Sequence, residues 1–143
     1  MDIDLDDDRD ISRIAHDAKV IAVVGLSADE TRPSWGVARY LQAQGFRIIP
    51  VNPGNAGEEI LGETVYASLS DIPPDARVDM VDIFRRSSAV PDIVNEALAV
   101  LPELRVIWTQ LGVRHDGAAD QARSRGITVV QDRCPKIEFP RHL

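Results

Sequence analysis

The 143-residue sequence predicts an α/β fold: a Rossmann-like, doubly wound, mainly parallel five-stranded sheet with helices on both faces, three layers in all. Two observations carry this reading. Five short runs rich in Val and Ile, near residues 20–25, 47–51, 78–84, 105–108 and 127–131, are too short for helices and are closed by Gly, Pro, Asn or Asp. Most of the segments between them repeat apolar residues at helical spacing, and alternating strands and helices imply a parallel sheet with right-handed crossovers.

The chain begins with an acidic segment, residues 1–10, expected to fray, followed by a single domain over residues 11–143. Ile11, Ile14, Ala15 and Ala18 form a helical stripe, with Asp8 and Asp10 at its start, where carboxylates suit the helix dipole. The first strand leads through Gly25 into a polar loop and then a helix whose first turn carries Trp35 and which Gly45 ends. The second strand closes at Asn52-Pro53-Gly54-Asn55. Residues 57–66 read as an irregular excursion, and Leu69 to Ile72 as a helical turn before Pro73-Pro74. After the third strand, Ser88 caps a helix with Pro91 in its first turn and Val90, Ile93, Val94, Ala97 and Leu98 on its inner face. The fourth strand precedes a polar helix from Asp116 to Arg125, which shows Ala118, Ala119 and Ala122 to the core and stops at Gly126; the fifth strand follows.

Composition narrows the function. Five of the seven net negative charges fall in the first ten residues, so the body is nearly neutral and has no basic stripe for nucleic acid. No apolar run approaches the roughly 20 residues of a membrane span. Cys134 stands alone, and the start shows no secretory leader, so a cytoplasmic protein is expected.

In an open α/β sheet the ligand lies beyond the carboxyl ends of the strands, most often where strand order reverses. The first loop is not a dinucleotide fingerprint, because Ser27 stands where the second Gly of G-x-G-x-x-G belongs, and Asn52, not an acid, ends the second strand. No phosphate loop of the G-x-x-x-x-G-K-[ST] type is present. What remains is Ser27, Arg32 and Ser34, a set suited to a pyrophosphate; the competing reading makes Ser34 a helix cap and Arg32 a surface charge.

The ordered set Gly25-Leu26-Ser27, Arg32-Pro33-Ser34, Pro50-Val51-Asn52-Pro53, Phe84-Arg85, Trp108-Thr109-Gln110-Leu111-Gly112 and Asp132-Arg133-Cys134 resembles the small stand-alone CoA-binding proteins, similar to the CoA-binding domain of the succinyl-CoA synthetase alpha subunit. The resemblance implies a Rossmann-like domain that binds coenzyme A or an acyl-CoA. It implies phosphate contacts for Gly25, Ser27, Arg32 and Ser34, an adenosine region at Asn52 and Pro53, and a sheet-top wall at Phe84 and Arg85; Trp108 and Gln110 complete the expected site. The synthetase's second domain, with its phosphorylated His, has no counterpart here, so ligase activity does not carry over.

The remaining residues point to a binding module. No His or Cys spacing suits a metal, with His16, His115 and His142 scattered, and Asp79 and Asp82, three apart on a strand, face opposite ways and form no catalytic dyad. Cys134 reads as a small buried side chain. Two alternatives stay open: a CoA-dependent acyl or thiol transfer enzyme using Cys134 or a partner subunit, and an NAD(P)-binding redox sensor. The sequence leaves a homo-oligomer or a partner protein open as well.

Overall fold

The computed structural model describes residues 3–143. In chain order its strands are β1 (Val20–Val24), β2 (Arg47–Val51), β3 (Glu59–Ile60), β4 (Glu63–Thr64), β5 (Met80–Ile83), β6 (Val106–Thr109) and β7 (Thr128–Val130). The helices are α1 (Ile3–Asp17), α2 (Pro33–Ala43), α3 (Val90–Val100), α4 (Asp116–Ser124) and α5 (Pro135–Glu138), with short 3-10 turns between them. Five strands form one sheet in the order β2-β1-β5-β6-β7, every pair parallel. These are the five apolar runs expected from the sequence.

Helices on both faces explain why those runs are mostly apolar at successive positions instead of alternating, with Asp82 in β5 and Thr109 in β6 as buried polar exceptions. On one face Ile21, Val23, Met80, Trp108 and Val130 pack against Ile11 and Ile14 of α1, Val37, Ala38 and Leu41 of α2, and Phe139 just after α5. On the other, Ala22, Val24, Val81, Ile83, Ile107 and Val129 meet Val90, Val94 and Ala97 of α3 and the three alanines of α4. Removing one such side chain, Leu41→Ala for instance, costs about 2–5 kcal/mol. The Gly45 N–H bonds to the Gln42 carbonyl at 3.0 Å and that of Phe46 to the Leu41 carbonyl at 3.2 Å, a Schellman motif that ends α2 and turns the chain into β2.

Four local readings need correction. Helix α1 starts at Ile3, so Asp8 and Asp10 lie inside it and not at its start; Asp10 pairs with Arg13 one turn on, and the buried Ile11–Ile14 face anchors a helix that extends backwards over the acidic residues. Met1 and Asp2 lie outside the described residues. The irregular excursion contains a β3–β4 antiparallel hairpin whose two turn residues, Leu61 and Gly62, both have positive φ, the geometry that matches strand twist in a two-residue turn. It was illegible because a Leu is rarely found there; Ile60 and Val65, both buried, hold it in place. Ser88 does not cap α3, which begins at Val90 after a 3-10 turn over Ser87–Ala89. Helix α5 is new relative to the sequence reading, being too short to show periodicity; its reason for existing is Phe139, which sits edge-on to Trp108 at 5.6 Å between ring centroids.

Candidate functional site

Strand order reverses between β1 and β5, because the connection after β1 runs to α2 on one face while that after β5 runs to α3 on the other. The two loops diverge and open a crevice above the strand ends. Gly25 and Phe84 flank it. The Gly25 N–H donates to the Val51 carbonyl and the Phe84 N–H to the Val24 carbonyl, each at 2.8 Å, which laces three strand ends together. Gly25 has φ +90°, and a Cβ there would run into the Phe84 carbonyl and come within 3.0 Å of the Arg85 Cδ. Only glycine permits that approach. Arg85 thus lies along the crevice wall, half-buried, with no ion-pair partner among the described residues.

The β1–α2 loop is built from its own polar side chains. Ser34 is buried and does not cap α2: Arg32 occupies the N-cap position without a side-chain bond, and the Ser34 hydroxyl accepts the Ser27 N–H at 3.0 Å across the loop. Ser27 Oγ accepts the Asp29 N–H at 3.0 Å, and Asp29 accepts the Thr31 N–H at 2.9 Å and hydroxyl at 2.7 Å. The Thr31 hydroxyl and amide, with Arg32 nearby, hold the Asp29 carboxyl below its ordinary range. Arg32 is exposed and only loosely paired to Asp29, at 3.9 Å. The N–H groups of Ala28 and Glu30 have no acceptor among the described residues, so the loop offers free donors beside a cation.

The other expected residues divide into braces and walls. Asn52 spends its side chain inside the protein, Nδ2 donating to the Leu26 carbonyl and Oδ1 accepting from the Gly54 N–H, both at 3.0 Å, which ties the turn after β2 to the first loop. Pro53 is exposed and borders a cavity of 320 Å³ whose floor includes Val24 and Val51 and whose far side carries Ser68, Arg85, Arg86 and Ser88. Arg86, Ser68 and Ser88 were not anticipated as lining; the Arg85-Arg86 doublet could have signalled the first, whereas Ser68 arrives only because the hairpin folds back, with Tyr66 bridged to Val51. Trp108 has no exposed surface, and its indole N–H donates to the Arg133 carbonyl at 2.7 Å, so it packs beneath the crevice and does not line it. Gln110, at the end of β6, is buried with its Oε1 unpartnered.

Asp82 is the unexpected group. It lies in the middle of β5, level with Val23 and Trp108, with no exposure and no hydrogen-bond partner for either oxygen. Burial alone pushes its carboxyl well above the usual range, which favours the protonated, uncharged form. Asp79 is a different case: half-buried at the foot of β5, it accepts the N–H groups of Lys19 and Val20. Cys134 is buried against the α2–α5 side of the sheet, as expected of a small apolar side chain. Two further hollows, of 350 and 690 Å³, lie at the opposite pole around Asp79 and Arg105, where strands begin and no loop residue of the expected set is present. The described residues contain no cluster suited to a metal and no helix long and apolar enough to cross a membrane.

The family described as "CoA binding domain" matches residues 19–140. An uncharacterized Bacillus subtilis protein, YneT, is 38% identical over 128 residues, 90% of each chain. The solved structure of cell-free ID.343 from Thermus thermophilus superposes with a TM-score of 0.87 at 40% identity, covering 95% of this chain and 98% of that one. A larger protein, the acetyl-coenzyme A synthetase 1 of Ca. Korarchaeum cryptofilum, shares the fold alone, with a TM-score of 0.64 at 22% identity over 83% of this chain and 26% of its own. Matched by the family model over residues 19–140, most of its length, the chain belongs to the CoA-binding domain family.

Proposed function

We propose that this protein binds coenzyme A or an acyl-CoA as a small-molecule ligand, with no chemistry of its own. The pyrophosphate lies over the 25–34 loop, against the free N–H groups of Ala28 and Glu30, with Arg32 and Arg85 on either side. The adenosine end enters the cavity beside Pro53, where Val24 and Val51 supply an apolar floor for the base. The pantetheine arm leaves along the strand ends toward Gln110, whose unpartnered Oε1 is an acceptor for an amide N–H. The observation that carries this reading is Arg85: a half-buried cation without a counter-charge among the described residues, laid against a glycine at the point where strand order reverses. The burial of Cys134 supports a binding role over thiol transfer.

Isothermal titration of the full chain with CoA and with NAD tests it. CoA is expected to bind more tightly, because Ser27 replaces the glycine that lets the NAD pyrophosphate approach a dinucleotide fingerprint and because neutral Asn52 is already spent on the Leu26 carbonyl. NAD binding as tight as CoA overturns the proposal.

A further inference from the structure

The cavity beside Pro53 carries a second cation that the pyrophosphate does not need. Arg86 follows Arg85 with an extended backbone, φ −59° and ψ 153°, so the two guanidinium groups leave the chain in different directions. Arg85 runs back past Gly25, while Arg86 folds over its own loop and donates from Nε to the Ser88 hydroxyl at 3.0 Å. That bond orients the guanidinium plane and leaves both terminal nitrogens without an ion-pair partner among the described residues, the fork that grips a phosphate with two parallel bonds. Of the two carboxylates on the same cavity, Glu96 is committed to Ser70, accepting its N–H at 3.2 Å and its hydroxyl at 2.6 Å, and Asp92, exposed as Arg86 is, makes no ion pair among the described residues.

We infer that Arg86, set by Ser88, is a second anion subsite that reads the ribose 3′-phosphate of the ligand, so that the protein distinguishes CoA from dephospho-CoA. This rests on the CoA reading above. The 3′-phosphate is one ribose ring away from the pyrophosphate, and two arginines adjacent in sequence but divergent in direction meet that requirement: Arg85 serves the bridge and Arg86 the sugar. Nothing else in this stretch needs two consecutive cations, since neither supports the fold through an ion pair among the described residues.

Titration of the wild-type chain, Arg86→Ala and Ser88→Ala with CoA and with dephospho-CoA decides the matter, with circular dichroism as the check on folding. Wild type is expected to prefer CoA by about tenfold or more, the contribution of one charge-assisted pair. Arg86→Ala should lose that preference by weakening CoA about tenfold while leaving dephospho-CoA within about twofold, and Ser88→Ala should lose part of it. Equal wild-type affinity for the two ligands, or an Arg86→Ala loss shared by both, overturns this inference and leaves the CoA proposal standing. Absence of binding by either ligand overturns both.

Discussion

The carbonyl of Phe84 occupies the space that a side chain on Gly25 would fill, so the ends of β1 and β5 can meet only if residue 25 has no Cβ. Gly25→Ala adds this collision to the strain of an L residue at φ +90°. The expected cost is about 2–3 kcal/mol of stability, read from urea unfolding midpoints, together with loss of CoA binding as the crevice is forced open. Unchanged midpoint and affinity would show that the strand ends tolerate separation.

Arg85 and Arg32 should differ in their contributions. Arg85→Ala is expected to weaken CoA by about 10- to 150-fold, or about 1.5–3 kcal/mol, because the residue is half-buried and the proposed phosphate contact is shielded from bulk water. Arg32→Ala should fall at the lower end of that range, since Arg32 is exposed and must leave Asp29 to reach a phosphate. Melting temperature should move little for Arg32→Ala. Titration of both variants checks the order, and a stability loss at Arg32 with affinity intact would make it a brace of the loop.

Asp82 makes stability depend on pH in a defined direction. In the unfolded chain it ionises near its ordinary value of 3.8, while in the folded chain burial holds the proton to higher pH. Between those points the unfolded state carries fewer protons, so stability falls as pH rises, by at most about 1.4 kcal/mol per pH unit. The penalty is absent below the unfolded value and grows above it. Asp82→Asn removes the ionisation and should gain on wild type as pH rises above the unfolded value of 3.8, in urea midpoints at matched ionic strength. A gap between the two that stays constant with pH would mean that Asp82 is ionised in the folded protein.

Cys134→Ser should leave CoA affinity within about threefold, or roughly 0.7 kcal/mol, because the thiol faces the core and not the crevice. Stability should drop by about 1–2 kcal/mol as a hydroxyl replaces a thiol among apolar neighbours. Incubation with CoA disulfide should give no stoichiometric adduct in the intact mass. A full adduct on the wild type, absent from the Ser variant, would put thiol chemistry back in play.

The sequence by itself determined the sheet, because strands covered on both faces must be apolar throughout and helices covered on one face must repeat every three or four residues. Ile21 to Val24, Ile48 to Val51 and the stripe Val90, Val94, Ala97 show those periods without any knowledge of their neighbours, and Gly25 and Gly45 mark where such stretches turn. It also brought out the polar strand ends, since a loop carrying Ser27, Arg32 and Ser34 after a buried strand is unusual in composition. Tertiary structure alone decided what each of these groups touches. Ser34 bonds to Ser27 instead of capping its helix, Asn52 is spent on Leu26, and Trp108 lies under the crevice against Phe139, because each of those partners is set by a strand pairing or a chain reversal and not by spacing along the chain. The same holds for Asp82 and Arg86. A carboxyl in an apolar run gives no sign of whether a partner awaits it, and the direction of the second of two arginines depends on where the loop after β5 turns away from Gly25.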